Sequence, residues 1–121
     1  MSGPAPALQR TAWRGLFVLV LLLILWLALR PVEGHGDWFP QADKLRHAAA
    51  FAVLWLLACR AGLGQPRALA WGLFALGVGI EFAQAFTPDR DPSALDVLAD
   101  VAGMLLGHVL TRRRPFSLPA T

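Results

Sequence analysis

Acidic and amide side chains lie inside two otherwise apolar stretches in the second half of the chain. Glu81 and Gln84 are close to the end of the first stretch, and Asp96 and Asp100 open the second. At bilayer depth an ionisable side chain costs roughly 2.5–3.5 kcal/mol on insertion scales and is rare unless it is paired or functional. These polar positions therefore mark the part of the sequence best suited to chemistry.

Helical spacing predicts which of the polar side chains share a face, because residues three or four apart are neighbours on a helix. Three of the apolar segments carry one pair of polar residues with this spacing, within the segment or at its start. A carboxyl group one turn from a histidine suits acid–base chemistry, and neighbouring carboxyl groups suit a shared proton. The pairs are Asp43 with His47, Glu81 with Gln84, and Asp96 with Asp100.

Four apolar segments must position these side chains. Apolar residues make up 56% of the chain and charged residues only 16%, and a membrane-spanning helix needs about 20 mostly apolar residues. Prolines and glycines separate the segments. We predict one all-α domain over residues 1–121, an integral membrane bundle of four transmembrane helices at about 13–30, 45–60, 68–86 and 94–110, with disordered tails at 1–10 and 114–121.

The first segment also fits a signal peptide, since Arg10 and Arg14 precede its apolar run. A cleaved signal peptide ends in small residues, whereas this run ends in Leu29-Arg30-Pro31. The sequence therefore favours a retained helix.

Basic residues predict the orientation of the bundle in its membrane. Lys and Arg accumulate on the cytoplasmic side of membrane proteins, and seven of the 11 basic residues fall on one side if both termini are cytoplasmic. This orientation places the polar residues of three segments at the outer face. The basic residues that set this orientation therefore explain the pI near 10.5. The sequence has no basic patch interleaved with aromatic residues, so it does not indicate a nucleic-acid partner.

Helix packing and metal binding complete the expectations from spacing. Gly103 and Gly107 form a small-xxx-small pair that permits close helix approach, and we expect them to press against the thin patch at Gly77 and Gly79. The lone Cys59 cannot form an intrachain disulfide. Neither a thiolate cluster nor an HExxH spacing supports zinc, and no metal or cofactor is predicted.

Several motifs resemble those of the VanZ-like family of small bacterial membrane proteins. The resemblance implies a four-helix membrane protein, and the family's namesake is associated with low-level resistance to the glycopeptide teicoplanin. One departure is Asp100, where the family usually has Asn. The matching residues, over about two-thirds of the chain, are Asp43-Lys44-Leu45-Arg46-His47 with Phe51, Gly79-Ile80-Glu81-Phe82-Ala83-Gln84-Ala85-Phe86, Pro88, Arg90, Ser93, Asp96, Gly103 and Gly107.

Three hypotheses for function follow. In the first, an outer-face pocket engages an anionic envelope lipid or a cell-wall precursor, with Arg90 and Lys44 holding the anion. In the second, a membrane enzyme uses Glu81, Asp96 and His47 for acid–base or metal-assisted chemistry on a lipid-linked substrate. In the third, the acids only pair helices in a structural or partner subunit. The predicted binding residues are Asp43, Lys44, His47, Glu81, Gln84, Arg90, Asp96 and Asp100.

Two residues near the last segment have competing interpretations. The planar guanidinium of Arg90 can bind a phosphate or carboxylate bidentately, or it can form a salt bridge to Asp96 or Glu81. Ser93 precedes the last segment with Asp96 three residues on, which resembles a capping box. We therefore interpret Ser93 as a helix cap and not as a nucleophile.

Overall fold

The structure is a computed structural model that describes residues 7–30, 42–87 and 93–113. These residues form four α-helices and no strand. For the described residues, the prediction of an all-α fold with four helices is confirmed. The helices are α1 (Ala7–Leu29), α2 (Ala42–Ala61), α3 (Pro66–Gln84) and α4 (Ala94–Arg113).

The first helix begins earlier than the sequence predicts. Residues 7–10, which were expected to belong to a disordered tail, are helical. Ala, Leu, Gln and Arg are all strong helix formers, so the helix extends through them before the apolar run begins. The remainder of both predicted tails lies outside the described residues, as does Arg90.

The connection between α2 and α3 is built on two glycines with positive φ. Gly62 has φ 67° and Gly64 has φ 76°, a region that favours glycine because it has no Cβ. The N–H of Gly62 donates to the carbonyl of Cys59, and the N–H of Leu63 donates to the carbonyl of Ala58. These two bonds are those of a Schellman motif, which ends a helix at such a glycine.

Helices α2 and α4 form a close parallel pair at the centre of the bundle. An ideal Cβ on Gly103 would collide with the backbone of Ala48, and one on Gly107 would lie 2.7 Å from the Cβ of Trp55. The contacts advance in the same direction along both helices. The thin face of α4 therefore packs on α2, not on α3 as expected, and a Cβ at Gly79 would meet nothing within 4 Å.

Helices α1 and α3 run antiparallel to this central pair. The Nε of Arg14 near the start of α1 donates to the carbonyl of Ala61 at the end of α2 at 3.1 Å. Near the end of α3, Gln84 contacts Ala28 close to the end of α1. The starts of α2 and α4 therefore lie at the same end of the bundle as the ends of α1 and α3.

The core is small, and apolar side chains cover much of the surface. α1 contributes no buried residue, although α1 and residues 94–112 of α4 are long and apolar enough to cross a membrane. Large exposed apolar surfaces mark contact with a membrane or another protein, and the two apolar helices support a membrane protein. The buried core cluster consists of Phe51, Leu54, Trp55, Leu73, Ile80 and Met104.

Candidate functional site

An ion pair joins the first turns of α2 and α4. The Nζ of Lys44 lies 2.6 Å from the Oδ1 of Asp96, whose side chain is only 3% exposed against 33% for Lys44. The close carboxylate raises the pKa of Lys44, which lies just before the predicted second span. The ammonium is therefore a fixed positive charge that compensates a buried acid.

A histidine–carboxylate pair lies one turn further along the same two helices. The Nδ1 of His47 is 2.7 Å from the Oδ1 of Asp100, and both side chains are largely buried. The Nε2 of His47 lies 3.9 Å from Asp43 and 4.0 Å from Asp96. A carboxylate on one ring nitrogen orients the imidazole and leaves the other nitrogen for chemistry.

Glu81 is held by the backbone at the start of α4. The N–H of Ser93 donates to the Oε2 of Glu81 at 2.8 Å, and the Oγ of Ser93 accepts from the N–H of Leu95 at 3.0 Å. Ser93 is therefore the predicted helix cap. The reciprocal bond of a capping box would come from Asp96, but Glu81 supplies it here because Asp96 is turned towards Lys44.

Gln84 connects α3 to α1 beside the charged residues. Its Nε2 donates to the carbonyl of Ala28 at 2.8 Å, and this bond satisfies a carbonyl in the last turn of α1, which has no partner within its own helix. Next to it is a cavity of about 130 Å³ whose lining includes Asp43, His47, Gln84 and Phe51. The histidine therefore faces an open space between three helices.

Three buried carboxylate oxygens make no hydrogen bond with good geometry among the described residues. The Oδ1 of Asp96 still has the ammonium of Lys44 at 2.6 Å, whereas the Oε1 of Glu81 and the Oδ2 of Asp100 have no partner. The Oδ2 of Asp100 lies against Gly77, where an ideal Cβ would be only 2.6 Å away. The missing side chain at Gly77 therefore gives this carboxylate its room. Buried acids with spare oxygens are costly to ionise, so this end of the bundle has capacity for protons or donors.

Asp43, His47 and Asp96 also offer the ligand types of a divalent-cation site. One ligand atom from each lies within 4.8 Å of the others. The ammonium of Lys44 already contacts Asp96 at 2.6 Å and supplies positive charge at that position. The contacts of the three residues are thus explained without a metal.

The structure brings most of the predicted site residues to one end of the bundle. We call this group the polar cluster: Asp43, Lys44, His47, Glu81, Gln84, Asp96 and Asp100. Arg90, the eighth predicted residue, lies outside the described residues. Sequence reasoning missed that α1 contributes a carbonyl to Gln84 and that Glu81 caps α4, since neither contact leaves a periodic signal.

No protein-family model, curated protein or solved structure matches the chain.

Proposed function

We propose that the chain is a multi-pass protein of the bacterial inner membrane, with four spanning helices and both termini in the cytoplasm. Two helices already have the length and hydropathy of spans. Helices α2 and α3 carry polar residues mainly near their ends, and each packs on an apolar neighbour. The excess of arginines at the opposite end from the polar cluster supports this orientation.

Cysteine labelling tests the topology. In a variant whose single Cys59 is replaced by Ala, new cysteines are placed at Thr87 and, separately, at Gln65, which lie at opposite ends of α3. A membrane-impermeant maleimide added to intact spheroplasts should label the cysteine at position 87 and spare the one at position 65 until the membrane is permeabilised. The reverse pattern, or equal labelling, contradicts the proposal.

For function, we propose a VanZ-like role in which the polar cluster engages the anionic headgroup of an envelope lipid or cell-wall precursor. The supporting observation is the arrangement of charge by depth. Lys44 and Arg46 are 33% and 60% exposed, whereas Asp96, which Lys44 contacts, is 3% exposed. A headgroup phosphate would meet the basic side chains first, and its hydroxyl or amine groups would reach the carboxyl groups beneath.

The sequence has a further basic residue, Arg90, in the connection between α3 and α4. Its planar fork suits a phosphate better than the single ammonium of Lys44. In this proposal Arg90 and Lys44 hold the anion, while His47, Glu81 and Asp96 position or protonate it. A link to teicoplanin resistance follows only from the family resemblance.

Charge-neutralising substitutions test this function. Arg90→Gln and Glu81→Gln should each lower teicoplanin resistance and the binding of an anionic envelope lipid, with the protein still inserted. Arg67→Gln removes a charge at the other end of α3 and is the matched control. Unchanged susceptibility and lipid binding in both site variants would count against the proposal.

A second candidate function is acid–base chemistry on a lipid-linked substrate, and the pair of His47 and Asp100 favours it. A histidine held by a carboxylate at 2.7 Å, facing a cavity, has the arrangement of a general base. The carboxylate at position 100, in place of the Asn usual in the VanZ-like family, would strengthen that base.

The variants His47→Gln and Asp100→Asn separate the two functions. Chemistry would require a titrating His47, so the activity on a lipid-linked substrate should vary between about pH 5 and 8 in the native protein and not in His47→Gln. Asp100→Asn should weaken the activity more than it weakens lipid binding. No turnover in any of the three proteins, together with weaker lipid binding in His47→Gln, would leave headgroup binding as the function.

A further inference from the structure

A second cavity lies at the end of the bundle opposite the polar cluster. Its volume is about 260 Å³, and it is formed by the ends of α2 and α4, the glycine turn after α2 and the start of α3. The lining is mostly apolar and includes Ala58 and Leu69, with Arg112 as its charged residue. No carboxylate lines it among the described residues.

The indole of Trp55 gives this cavity an unusual feature. Trp55 lines the cavity and is only 4% exposed, yet its Nε1–H has no hydrogen-bond partner among the described residues. A buried indole N–H normally finds a partner, and leaving it without one is costly. Trp55 packs closely on Gly107, and its ring makes a T-shaped contact with the ring of His108 at a centroid distance of 5.5 Å.

The indole N–H of Trp55 and the guanidinium of Arg112 lie at different distances from the end of the bundle. Trp55 is level with Gly107 and His108 on α4, and Arg112 follows His108 by one helical turn, about 5–6 Å nearer the end of the bundle. A ligand that satisfies both must carry an anionic group at the rim and a hydrogen-bond acceptor deeper, followed by an apolar chain. A glycerophospholipid has this order of groups, namely phosphate, ester carbonyl and acyl chain.

We propose that this cavity binds one anionic phospholipid, with its phosphate at Arg112 and the start of an acyl chain against Leu69. An ester carbonyl then reaches the indole N–H of Trp55, which is closed to solvent in the empty chain, by displacing the side chains that cover it. The site is separate from the polar cluster. Only its assignment to the cytoplasmic leaflet depends on the orientation proposed above. Failure of the headgroup proposal would therefore leave this one standing, and the reverse also holds.

The chain carries its own reporter, because its single cysteine, Cys59, lines the cavity and is partly exposed. A lipid in the cavity should shield this thiol from alkylation. The experiment measures the rate of N-ethylmaleimide labelling of the full chain in micelles, with added dioleoyl phosphatidylglycerol or with dioleoylglycerol, which lacks the phosphate. We expect phosphatidylglycerol to slow labelling about tenfold and dioleoylglycerol to do so much less.

Two variants assign the contacts. Arg112→Gln should remove the difference between the two lipids. Trp55→Phe should raise about tenfold the concentration of either lipid that gives half of its protection, because losing one hydrogen bond of about 1.4 kcal/mol weakens binding tenfold. Arg67→Gln, a basic residue outside the lining, should behave as the native chain does. Labelling that phosphatidylglycerol does not slow, or protection that survives in both Arg112→Gln and Trp55→Phe, would overturn the proposal.

Discussion

The two ends of the bundle differ in whether a buried polar side chain has any polar contact with another segment. At the polar cluster each acid has one, although the Oε1 of Glu81 and the Oδ2 of Asp100 have no partner: Asp96 has Lys44, Asp100 has His47 and the half-buried Glu81 has the backbone of Ser93. At the opposite end, the buried indole N–H of Trp55 has none among the described residues. One end is therefore held together by polar contacts between segments, whereas the buried donor at the other end has no such contact among the described residues.

The largest expected effect breaks the first of these polar contacts. Lys44→Met leaves the carboxylate of Asp96 buried without its ammonium, and removing one partner of a buried pair costs roughly 3–5 kcal/mol. Because Lys44 is 33% exposed, we expect a loss near the lower end of that range. The measurement is the free energy of unfolding in mixed micelles.

Two further variants show whether that loss comes from the buried charge. Arg46→Met removes a neighbouring cation that is 60% exposed, and exposed ion pairs contribute about 0–1 kcal/mol. Replacing both partners, Lys44→Met with Asp96→Leu, should recover most of the stability. An equal loss in Arg46→Met, or no recovery in the double variant, would show that the pair does not stabilise this end.

The next largest loss of stability is expected at the contact between α2 and α4, which joins the two ends of the bundle. Gly103→Ala would place a methyl group against the backbone of Ala48, so α2 and α4 must separate, and overpacking of this kind costs about 1–3 kcal/mol. Gly79→Ala is the matched control, since its added methyl would meet nothing within 4 Å. Thermal unfolding of both variants should show a lower midpoint for Gly103→Ala alone.

Glycine spacing shows how far the sequence could predict this packing. The small-xxx-small pair at Gly103 and Gly107 indicated a close helix contact, but spacing on one helix does not identify the partner. The partner is α2, because the backbone atoms of Ala48 lie directly against Gly103. Gly79, expected to share the contact, instead lies where a Cβ would meet open space.

The polar cluster was more predictable from sequence than the cavity at the other end. Acids inside apolar segments carry a large desolvation cost, so their types and one-turn spacing already implied partners. Trp55, Cys59 and His108 are ordinary residues for an apolar helix, and only their arrangement around a turn of two glycines creates a cavity. Such a space depends on how three helix ends meet, which periodicity does not encode.

A smaller effect is expected at the junction of α3 and α4. Ser93→Ala removes the hydroxyl that accepts from Leu95, and loss of an N-terminal cap costs about 1 kcal/mol. Ser93→Thr keeps the acceptor and should cost less. Unfolding free energies of the two variants make the comparison, and equal losses would show that the hydroxyl does not act as a cap.

The smallest effect is expected from Trp55→Phe in lipid-free micelles. This substitution removes a buried N–H that has no partner among the described residues, which relieves a desolvation cost of about 1–3 kcal/mol. The smaller ring also loses core contacts, a cost of similar size. The two contributions oppose each other, so the unfolding free energy should change by less than about 1 kcal/mol.

Added phosphatidylglycerol should make the stability of variants at the two ends of the bundle differ more clearly. If the lipid accepts a hydrogen bond from Trp55, it should stabilise the native chain more than Trp55→Phe, because a ligand stabilises the folded state according to its affinity. Ser93→Ala, at the end of the bundle that carries the polar cluster, should gain as much from the lipid as the native chain does. A large loss in Trp55→Phe without lipid would instead mean that the indole N–H already has a partner within the folded protein, and the contrast between the two ends would disappear.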